Sequence, residues 1–386
     1  MHITHLSLAD FRNYRHLDLD LPEGPTVIQG DNAQGKTNLL ESVHVLGTTR
    51  SHRASSERDL LRCDAESGVV RVARLAACAR RVRGDVTVEV ALTAEEVAPG
   101  GTEPAMLSVS KHLRVNGVKR RAADVAGQIN VVMFTAQDIE LAMGKSAVCR
   151  RYLDMIGCQT DKSYLRCLQR YQKVLVQRNH LLRLLQERQA QLDQLDFWDD
   201  ELVKSGSYLI LQRGRLVEAL DAHAREIHRD ISGGSEEVRV TYSASVWAQG
   251  GPSEIESAFR EALHDNRKRE ILQGMTLAGP HRDTLGFFVN GMDVTRFGSR
   301  GQQQTVVLSL KLAEARHVLS EVKDHPIILL DDVFSELDLQ RRKHLLALVM
   351  PYQQVLITAT DLGCFDPAFL AQAMTLRVSG GLIGPV

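Results

Sequence analysis

The chain has 386 residues, which is long enough for two or three domains, including a full α/β core. Charged residues make up 25% of the chain and its formal net charge is -1. This balance excludes a wholly basic nucleic-acid binder, so any DNA-binding surface must be a local patch.

Cysteines and apolar runs exclude further classes of protein. The six cysteines form no C-x-x-C pair, so we expect no zinc or disulfide framework and a reducing cytosol. The N-terminus lacks a signal-peptide pattern, and no stretch approaches the roughly 18 apolar residues of a membrane span. We therefore expect a cytoplasmic protein without a membrane anchor.

The first 50 residues predict strands followed by a helix. Apolar and polar residues alternate at 6–8 and again at 17–21, as in half-buried strands. Residues 25–29 form an apolar strand, and the apolar positions from Thr37 onward fit one face of a helix. A glycine-bounded loop joins this last strand to the helix.

This loop fits the G-x-x-x-x-G-K-[ST] pattern of a phosphate-binding loop. Its glycines let backbone N–H groups face phosphates, Lys36 would neutralise the β and γ groups, and Thr37 would ligate Mg²⁺. The alternative is an ordinary glycine turn before a helix. We expect ATP with Mg²⁺ as the ligand, and the nucleotide-binding candidates are Gly30, Asp31, Asn32, Ala33, Gln34, Gly35, Lys36, Thr37 and Asn38.

The middle of the chain changes composition twice. Residues 69–118 indicate a β-rich insertion, with strands at Val69 to Leu75, Asp85 to Leu92 and Leu107 to Val109 and a turn at Pro99-Gly100-Gly101.

Between about 160 and 230, leucines recur at helical spacing among Gln, Arg and Glu. We predict two long antiparallel helices, broken near Asp196-Phe197-Trp198, that form a short arm with the leucines in the helix-pair core.

The C-terminal third alternates strands and helices. The predicted elements are a strand at Val238 to Tyr242, a helix at Ser253 to Leu272, a helix at Gln302 to Leu319, a strand at Pro326 to Leu330 and a parallel strand at Val355 to Thr358.

Two aspartates end the apolar strand that starts at Ile327. Ligands bind at the carboxyl ends of strands in open α/β sheets, so Asp331 would hold Mg²⁺ and Asp332 would orient or deprotonate the attacking water. The alternative is a strand that ends at an acidic turn. With Lys36, Asp332 is our catalytic candidate.

About 290 residues separate Lys36 from Asp331, too many for one compact nucleotide domain, so an insertion must split the core. We predict an N-terminal ATPase part at 1–155, a helical lobe and arm at 156–274, and a C-terminal ATPase part at 275–386.

A further candidate for phosphate binding precedes the strand that ends at Asp331. In Ser299-Arg300-Gly301-Gln302-Gln303, a serine hydroxyl, a glycine N–H and a helix N-terminus are suited to phosphate, and a simple helix cap is the alternative. Its position before Asp331 resembles the signature of ABC-type ATPases, as does Ser335-Glu336-Leu337-Asp338 after it. In that class the signature of one subunit closes on ATP held by another, so the resemblance implies a nucleotide-dependent homodimer.

Other motifs resemble the RecF family of DNA repair ATPases and run from the first strand to about Leu345. They are Phe11-Arg12-Asn13-Tyr14, Gly30 to Glu41, Ser51-His52-Arg53, Asp138-Ile139-Glu140-Leu141, Gly144-Lys145-Ser146, Arg150-Arg151-Tyr152-Leu153-Asp154, Gly279-Pro280-His281-Arg282-Asp283 and Leu329 to Asp338.

The resemblance implies an ABC-type α/β head similar to that of SMC proteins, split by a helical lobe with a short antiparallel arm. It also implies ATP-dependent dimerisation on DNA, weak DNA-stimulated ATP hydrolysis, and work with RecO and RecR to load recombinase at gaps. By position, Gln137 resembles the glutamine-loop residue that senses Mg²⁺ and the γ-phosphate. The chain departs from the family at Ala136-Gln137, where Pro-Glu is usual, at Cys149 and at Gln304.

DNA contacts require only positive groups along a groove. From His44 to Arg151 there are 17 Lys and Arg against 12 Asp and Glu, an excess of 5. The DNA-binding candidates are Arg50, Arg53, Lys119, Arg120, Arg121, Arg150 and Arg151, with a solvated surface as the alternative for each.

Two other functions compete with a DNA repair switch. A transporter ATPase subunit would need a Leu-Ser-Gly-Gly signature and a compact chain, which the helical insertion opposes. An SMC-like DNA scaffold would need a longer arm with a hinge or zinc hook for long-range tethering.

For His281 and Arg282 we favour support of the fold over nucleotide contact.

Overall fold

The computed structural model describes residues 1–62, 71–97, 106–246 and 250–385. Its strands are β1 (His2–Phe11), β2 (Tyr14–Asp20), β3 (Gly24–Gln29), β4 (Arg71–Arg80), β5 (Val86–Val97), β6 (Met106–Val115), β7 (Val118–Lys119), β8 (Val131–Thr135), β9 (Val238–Ser243), β10 (Thr284–Val289), β11 (Met292–Asp293), β12 (Ile327–Asp331), β13 (Gln354–Ala359), β14 (Met374–Ser379) and β15 (Leu382–Pro385).

The helices are α1 (Lys36–Thr48), α2 (Ala122–Val125), α3 (Ile139–Ala142), α4 (Ser146–Thr160), α5 (Lys162–Gln186), α6 (Gln194–Ile231), α7 (Pro252–Gln273), α8 (Val294–Phe297), α9 (Arg300–Val322), α10 (Leu339–Val349) and α11 (Pro367–Leu370). They come partly in runs, with α3 to α6 consecutive, and partly between strands. Among the described helices, none is long and apolar enough to cross a membrane.

The chain forms two compact units. The first contains Met1–Gln137 and Val318–Val386, and the second contains Asp138–His317. The first unit is thus made from both ends of the chain, because the second is inserted into it. The borders of these compact units differ from the borders at 155 and 274 that we predict for functional domains, a prediction that the contacts alone do not test.

A mixed sheet forms the base of the first unit. Its order is β15-β14-β3-β13-β12-β8, and all neighbours are parallel except β14 and β15. The strand before the phosphate-binding loop, β3, is therefore separated from β12 only by β13. Apolar β12 is buried between β8 and β13, as the predicted central strand requires.

An antiparallel sheet of order β2-β1-β4-β5-β6-β7 completes the first unit. Its inward residues share one apolar core with α1 and the mixed sheet, including Leu6, Leu75 and Val90. The predicted β-rich segment is present as strands, with β4 to β6 longer than predicted. The predicted start at Val69 and the turn at Pro99-Gly100-Gly101 lie outside the described residues.

Helices α5 and α6 form the antiparallel arm of the second unit. Their contacts run in opposite directions along the two helices, from Arg178 with Asp199 to Tyr164 with Arg213. The predicted break near Asp196-Phe197-Trp198 is wrong, because these residues lie inside α6 and the helices are separated at 187–193. Most arm leucines are buried as expected, but Leu192, in this connection, is 55% exposed.

The remaining predicted elements are present with bounds shifted by a few residues. The helix at 253–272 is α7, the helix at 302–319 is α9, and the strand at 238–242 is β9. Strand β9 pairs with β10, which pairs with β11. The predicted strands at 326–330 and 355–358 are β12 and β13, and they are parallel as predicted.

Candidate functional site

The phosphate-binding loop lies between β3, which ends at Gln29, and α1, which begins at Lys36. Two of its residues have left-handed backbone, Ala33 with φ 64° and Gly35 with φ 119°. A Cβ on Gly35 would lie 2.5 Å from Asn13 Nδ2, and one on Gly30 would lie 2.5 Å from the Val378 carbonyl oxygen. Glycine is therefore required by space at position 30, and by backbone angle as well as space at position 35.

Lys36 is held against its own loop. Its ammonium donates to the carbonyl oxygens of Gly30 and Asp31, the second at 2.9 Å. Burial lowers the pKa of Lys36, an effect that the nearby Asp332, Asp331 and Asp31 carboxylates oppose. The side chain is thus a fixed positive charge beside the curled backbone.

Asp331 lies beside the start of α1. The Thr37 hydroxyl donates to Asp331 Oδ1 at 2.9 Å, although the two residues are 294 positions apart. Thr358, on β13, donates to the same oxygen at 2.9 Å. Burial raises the pKa of Asp331, and the two hydroxyl donors oppose this rise. The predicted meeting of the phosphate-binding loop with the strand aspartates is present.

Asp332 follows with a left-handed backbone, φ 52°, which is uncommon for residues other than glycine. Its N–H donates to Thr358 Oγ1 at 2.9 Å, and its carbonyl accepts from the Ser335 hydroxyl at 2.7 Å. The backbone of Asp332 is therefore hydrogen-bonded at both its N–H and its carbonyl, which fixes the turn at the end of β12.

The donor set fits Mg²⁺. A hydroxyl and a buried carboxylate are hard oxygen ligands, and Mg²⁺ is usually held by one or two such groups together with phosphates rather than by a protein cage. The described residues contain no group of three or more His, Cys, Asp or Glu able to hold a metal by themselves.

Residues at the turn between β1 and β2 and at the turn between β14 and β15 support the loop. Asn13 Nδ2 donates to the Gln34 carbonyl at 2.9 Å, and the Tyr14 hydroxyl donates to the Gly35 carbonyl at 3.0 Å. The N–H groups of Gly380 and Gly381 donate to the side-chain and backbone oxygens of Gln34. These supports were missed as site residues, although the Phe11-Arg12-Asn13-Tyr14 motif was a signal for two of them.

A buried carboxylate on α1 positions the segment after that helix. Glu41 accepts two hydrogen bonds from Arg12, at 3.0 and 2.8 Å, and one from the Ser51 hydroxyl. The Ser51 hydroxyl oxygen accepts in turn from the N–H groups of Arg53 and Ala54. Arg53 lies close enough to Asp331 for its charge to lower the pKa of that carboxyl.

The signature candidates lie in the second unit, at the start of α9. Ser299 Oγ accepts from the N–H of Gln302 at 3.2 Å, while Gln302 Oε1 accepts from the N–H of Ser299 at 3.1 Å. This reciprocal pair is a capping box, so the helix-cap interpretation is correct as a description of the contacts. Gly301 is the second residue of α9, and Gln137 ends the part of the first unit that precedes the insertion.

The DNA-binding candidates fall into three groups. Arg50 and Arg53 are exposed after α1, and Lys119, Arg120 and Arg121 are exposed between β7 and α2. Arg150 and Arg151 lie on α4 in the second unit, where Arg150 is half-buried and donates to the Asp283 carbonyl at 3.0 Å.

His281 and Arg282 make contacts within the second unit that agree with support of the fold. His281 Nδ1 is 2.6 Å from the Tyr171 hydroxyl, and its Nε2 is 3.1 Å from the Thr276 carbonyl oxygen. Arg282 donates to the same carbonyl at 2.8 Å.

Known proteins resemble the whole chain. The model of the family described as RecF/RecN/SMC N terminal domain matches residues 2–378. The DNA replication and repair protein RecF of Herpetosiphon aurantiacus is 45% identical over 392 residues, covering 100% of both chains. The protein of the same name from Bacillus mycoides is 38% identical and covers 99% of this chain and 98% of its own length.

Solved structures agree with this fold. The structure of the recombination mediator protein RecF with ATP, in the RecFOR pathway, has a TM-score of 0.86 at 27% identity, covering 100% of this chain and 97% of that one. An Smc head bound to the C-winged helix domain of ScpA has a TM-score of 0.54 at 14% identity, covering 100% and 98%, and shows the shared fold. The chain therefore belongs to the RecF/RecN/SMC family of ABC-type ATPases and, within it, to the RecF proteins of DNA replication and repair.

Proposed function

We propose that this protein is an ATP-switched DNA-binding protein of recombinational repair, which dimerises when it binds ATP and is released by slow hydrolysis. The observation that carries the proposal is the 2.9 Å contact between Thr37 and Asp331. It joins the phosphate-binding loop to the strand aspartates in one unit, and both are needed to bind a magnesium nucleotide.

Each part of the first-unit site has a defined task toward ATP. Residues 30–38 present backbone N–H groups to the phosphates, and the fixed charge of Lys36 faces the β and γ groups. Thr37 and Asp331 would hold Mg²⁺, which neutralises phosphate charge when it is bound, and Gln137 would complete its surroundings. Asp332, held by Thr358, orients the attacking water.

The signature supplies the link to a second chain. The hydroxyl of Ser299, the N–H of Gly301 and the side chain of Gln302 stand at the N-terminus of a 23-residue helix, where partial positive charge favours an anion. We propose that they bind the γ-phosphate held by a partner copy. ATP then joins two chains, and its hydrolysis separates them.

Family membership supports the DNA and protein partners that we propose. A full-length relative is named a DNA replication and repair protein, and a solved relative is described as a recombination mediator in the RecFOR pathway. We therefore propose that this protein binds DNA at gaps or junctions through the basic candidates and helps RecO and RecR to load recombinase.

Lys36→Arg tests the proposal. Arginine keeps the charge but cannot place a single ammonium between the Gly30 and Asp31 carbonyls. We expect ATP-dependent dimerisation to weaken about tenfold, or the ATP-bound dimer to dissociate about tenfold more slowly. Analytical ultracentrifugation with and without ATP measures the dimer. Turnover should be measured beside it without DNA and with duplex, gapped and single-stranded DNA.

Lys323→Arg, on an exposed residue after α9, is the control for the substitution itself. A Lys36→Arg protein that dimerises and hydrolyses ATP like the wild type contradicts the proposal. So does a wild-type chain that sediments as a monomer at saturating ATP.

A further inference from the structure

The signature helix is tied to the arm helix by one acidic side chain. Gln302 Nε2 donates to Glu236 Oε1 at 2.8 Å. The other oxygen of the same carboxylate, Oε2, is 3.3 Å from Nε2 of His228. Glu236 lies in the loop between α6 and β9, and His228 lies in the last turn of α6. One carboxylate thus connects the start of α9 to the end of the arm.

A second contact closes the connection. His228 Nδ1 is 3.1 Å from the Ser309 hydroxyl, which itself donates to the Thr305 carbonyl one turn earlier in α9. The His228 side chain is fully buried and the Glu236 side chain is 23% exposed. The end of α6 therefore contacts α9 both at its first turn, through Glu236, and about two turns later, through the imidazole.

The carboxylate also decides how Gln302 is oriented. An ionised carboxylate can only accept hydrogen bonds, so Gln302 must direct its NH₂ group toward Glu236. Its carbonyl oxygen then faces the N–H of Ser299, which it contacts at 3.1 Å. The capping box at the signature thus depends on a residue outside the signature.

We infer that Glu236 is a positioning residue for the signature. It fixes the amide of Gln302 and, through it, Ser299, and it anchors both to the last turn of the arm helix. A change in the position of α6 is transmitted by this route to the groups that face a partner's nucleotide. The inference rests on the proposed function, since it concerns how well the signature binds across a dimer.

The chain allows a conservative variant. In Glu236→Gln the carboxamide oxygen can still accept from Gln302, and its NH₂ can donate to the ring of His228, whose pKa is lowered by burial. In Glu236→Ala both bonds are lost. Glu237→Ala is the matched control, because its side chain is 68% exposed and lies one residue further along the same loop.

The experiment compares ATP-dependent dimerisation of the three variants with that of the wild type by analytical ultracentrifugation. We expect Glu236→Ala to dimerise about tenfold more weakly, the effect of losing one hydrogen bond to a charged group, with Glu236→Gln and Glu237→Ala within about threefold of the wild type. Binding of a fluorescent ATP analogue to the phosphate-binding loop, measured below the dimerisation concentration, should be unchanged. A Glu236→Ala protein that dimerises normally overturns the inference, as does an equal loss in Glu237→Ala.

Combining Glu236→Ala with Gln302→Ala tests whether Glu236 affects dimerisation through Gln302. If Glu236 acts through Gln302, adding Glu236→Ala to Gln302→Ala produces little further loss of dimerisation. If the two losses multiply instead, Glu236 acts elsewhere and the inference fails.

Hydrogen exchange of the nucleotide-free chain separates this inference from the proposed function. Amides at 299–303 should exchange several-fold faster in Glu236→Ala than in the wild type or in Glu236→Gln, with no ATP present. If that difference appears while the wild type does not dimerise, the positioning role stands and the proposed function fails. If exchange is unchanged, the positioning role fails by itself.

Discussion

Thr358 connects the two aspartates at the end of β12. It donates to Asp331 Oδ1 and accepts from the N–H of Asp332, each at 2.9 Å, and it is completely buried. A single hydroxyl therefore contacts both the proposed metal ligand, Asp331, and the backbone of Asp332, the residue proposed to orient water. No motif includes this residue, because it lies on a different strand, β13, from the two aspartates.

Thr358→Val removes this hydroxyl and preserves the shape of the side chain. We expect the affinity for ATP with Mg²⁺ to fall about five- to tenfold, since the Asp332 N–H loses its partner and Asp331 loses one of two hydroxyl donors. Isothermal titration with ATP, with and without Mg²⁺, measures the effect. Thr358→Ser, which keeps the hydroxyl, should bind within about threefold of the wild type, and equal affinities for Val and Thr at 358 contradict this role.

At the scale of elements, Arg178 on α5 joins that helix to α6 and α7 in the second unit. Its fully buried guanidinium donates to Asp199 on α6 at 2.7 Å, to Glu270 on α7 at 2.7 Å, and to Thr276 at 2.8 Å. The lobe therefore contains a buried network of charged side chains. Removing one of them leaves the others buried without an opposite charge.

Arg178→Met should lower the free energy of unfolding of the second unit by about 3–5 kcal/mol, because two carboxylates lose their buried cation. Urea denaturation followed by circular dichroism measures the change. Arg170→Met is the control, since Arg170 pairs with Glu201 at an exposed position of the same helix and should cost about 1 kcal/mol or less. Similar losses in the two variants would show that the buried network is not special.

His281, in the segment that follows Gly279, predicts that the stability of the second unit decreases at acidic pH. Burial lowers the pKa of His281 to about 4, against 6.5 ordinarily. Below pH 6.5 the unfolded chain takes up a proton that the folded chain does not, so the free energy of unfolding decreases as pH falls from 6.5 toward 4. From pH 6.5 to pH 5 the decrease is about 1–2 kcal/mol from this group.

His281→Gln should remove that part of the pH dependence, since glutamine does not titrate. Urea denaturation at pH 7, 6 and 5 gives the slope, with His264→Gln, on an exposed histidine of α7, as the control for the substitution itself. If the free energy of unfolding depends on pH equally in His281→Gln and in the wild type, the prediction that His281 is neutral in the folded chain is wrong.

The arm also shows what periodicity can predict and what it cannot. The spacing of leucines predicts both helices and their pairing, because burial of one face is a property of consecutive residues. The break was misplaced because Arg188, not a glycine, takes the left-handed position after α5, with φ 59° and a bond from Gln189 N–H to the Leu184 carbonyl. Trp198 lies inside α6 because it packs against the arm core.

The candidate site divides in the same way. The phosphate-binding loop and Asp331 could be predicted because local sequence determines a strand, a glycine turn and a helix start. Thr358 and the Gly380-Gly381 turn could not, because their contacts join positions that are distant in the chain. Glu236 belongs with them, since a lone glutamate in a loop has no sequence pattern.

For the whole molecule, the net charge limits where the proposed DNA-binding surface can lie. A chain of net charge -1 must concentrate positive charge, and Lys119, Arg120 and Arg121 are three consecutive exposed cations in the first unit.

Replacing all three of these residues with alanine should weaken DNA binding at low salt and reduce the dependence of log K on log salt by about 2–3, because up to three phosphate contacts are lost. Fluorescence anisotropy with gapped duplex at four salt concentrations gives both quantities. An equal charge change at Arg166, Lys173 and Lys204, exposed on the arm, is the control. If the arm variant loses the salt dependence and the 119–121 variant keeps it, the DNA path lies along the helical lobe and the basic turn before α2 is only a solvated surface.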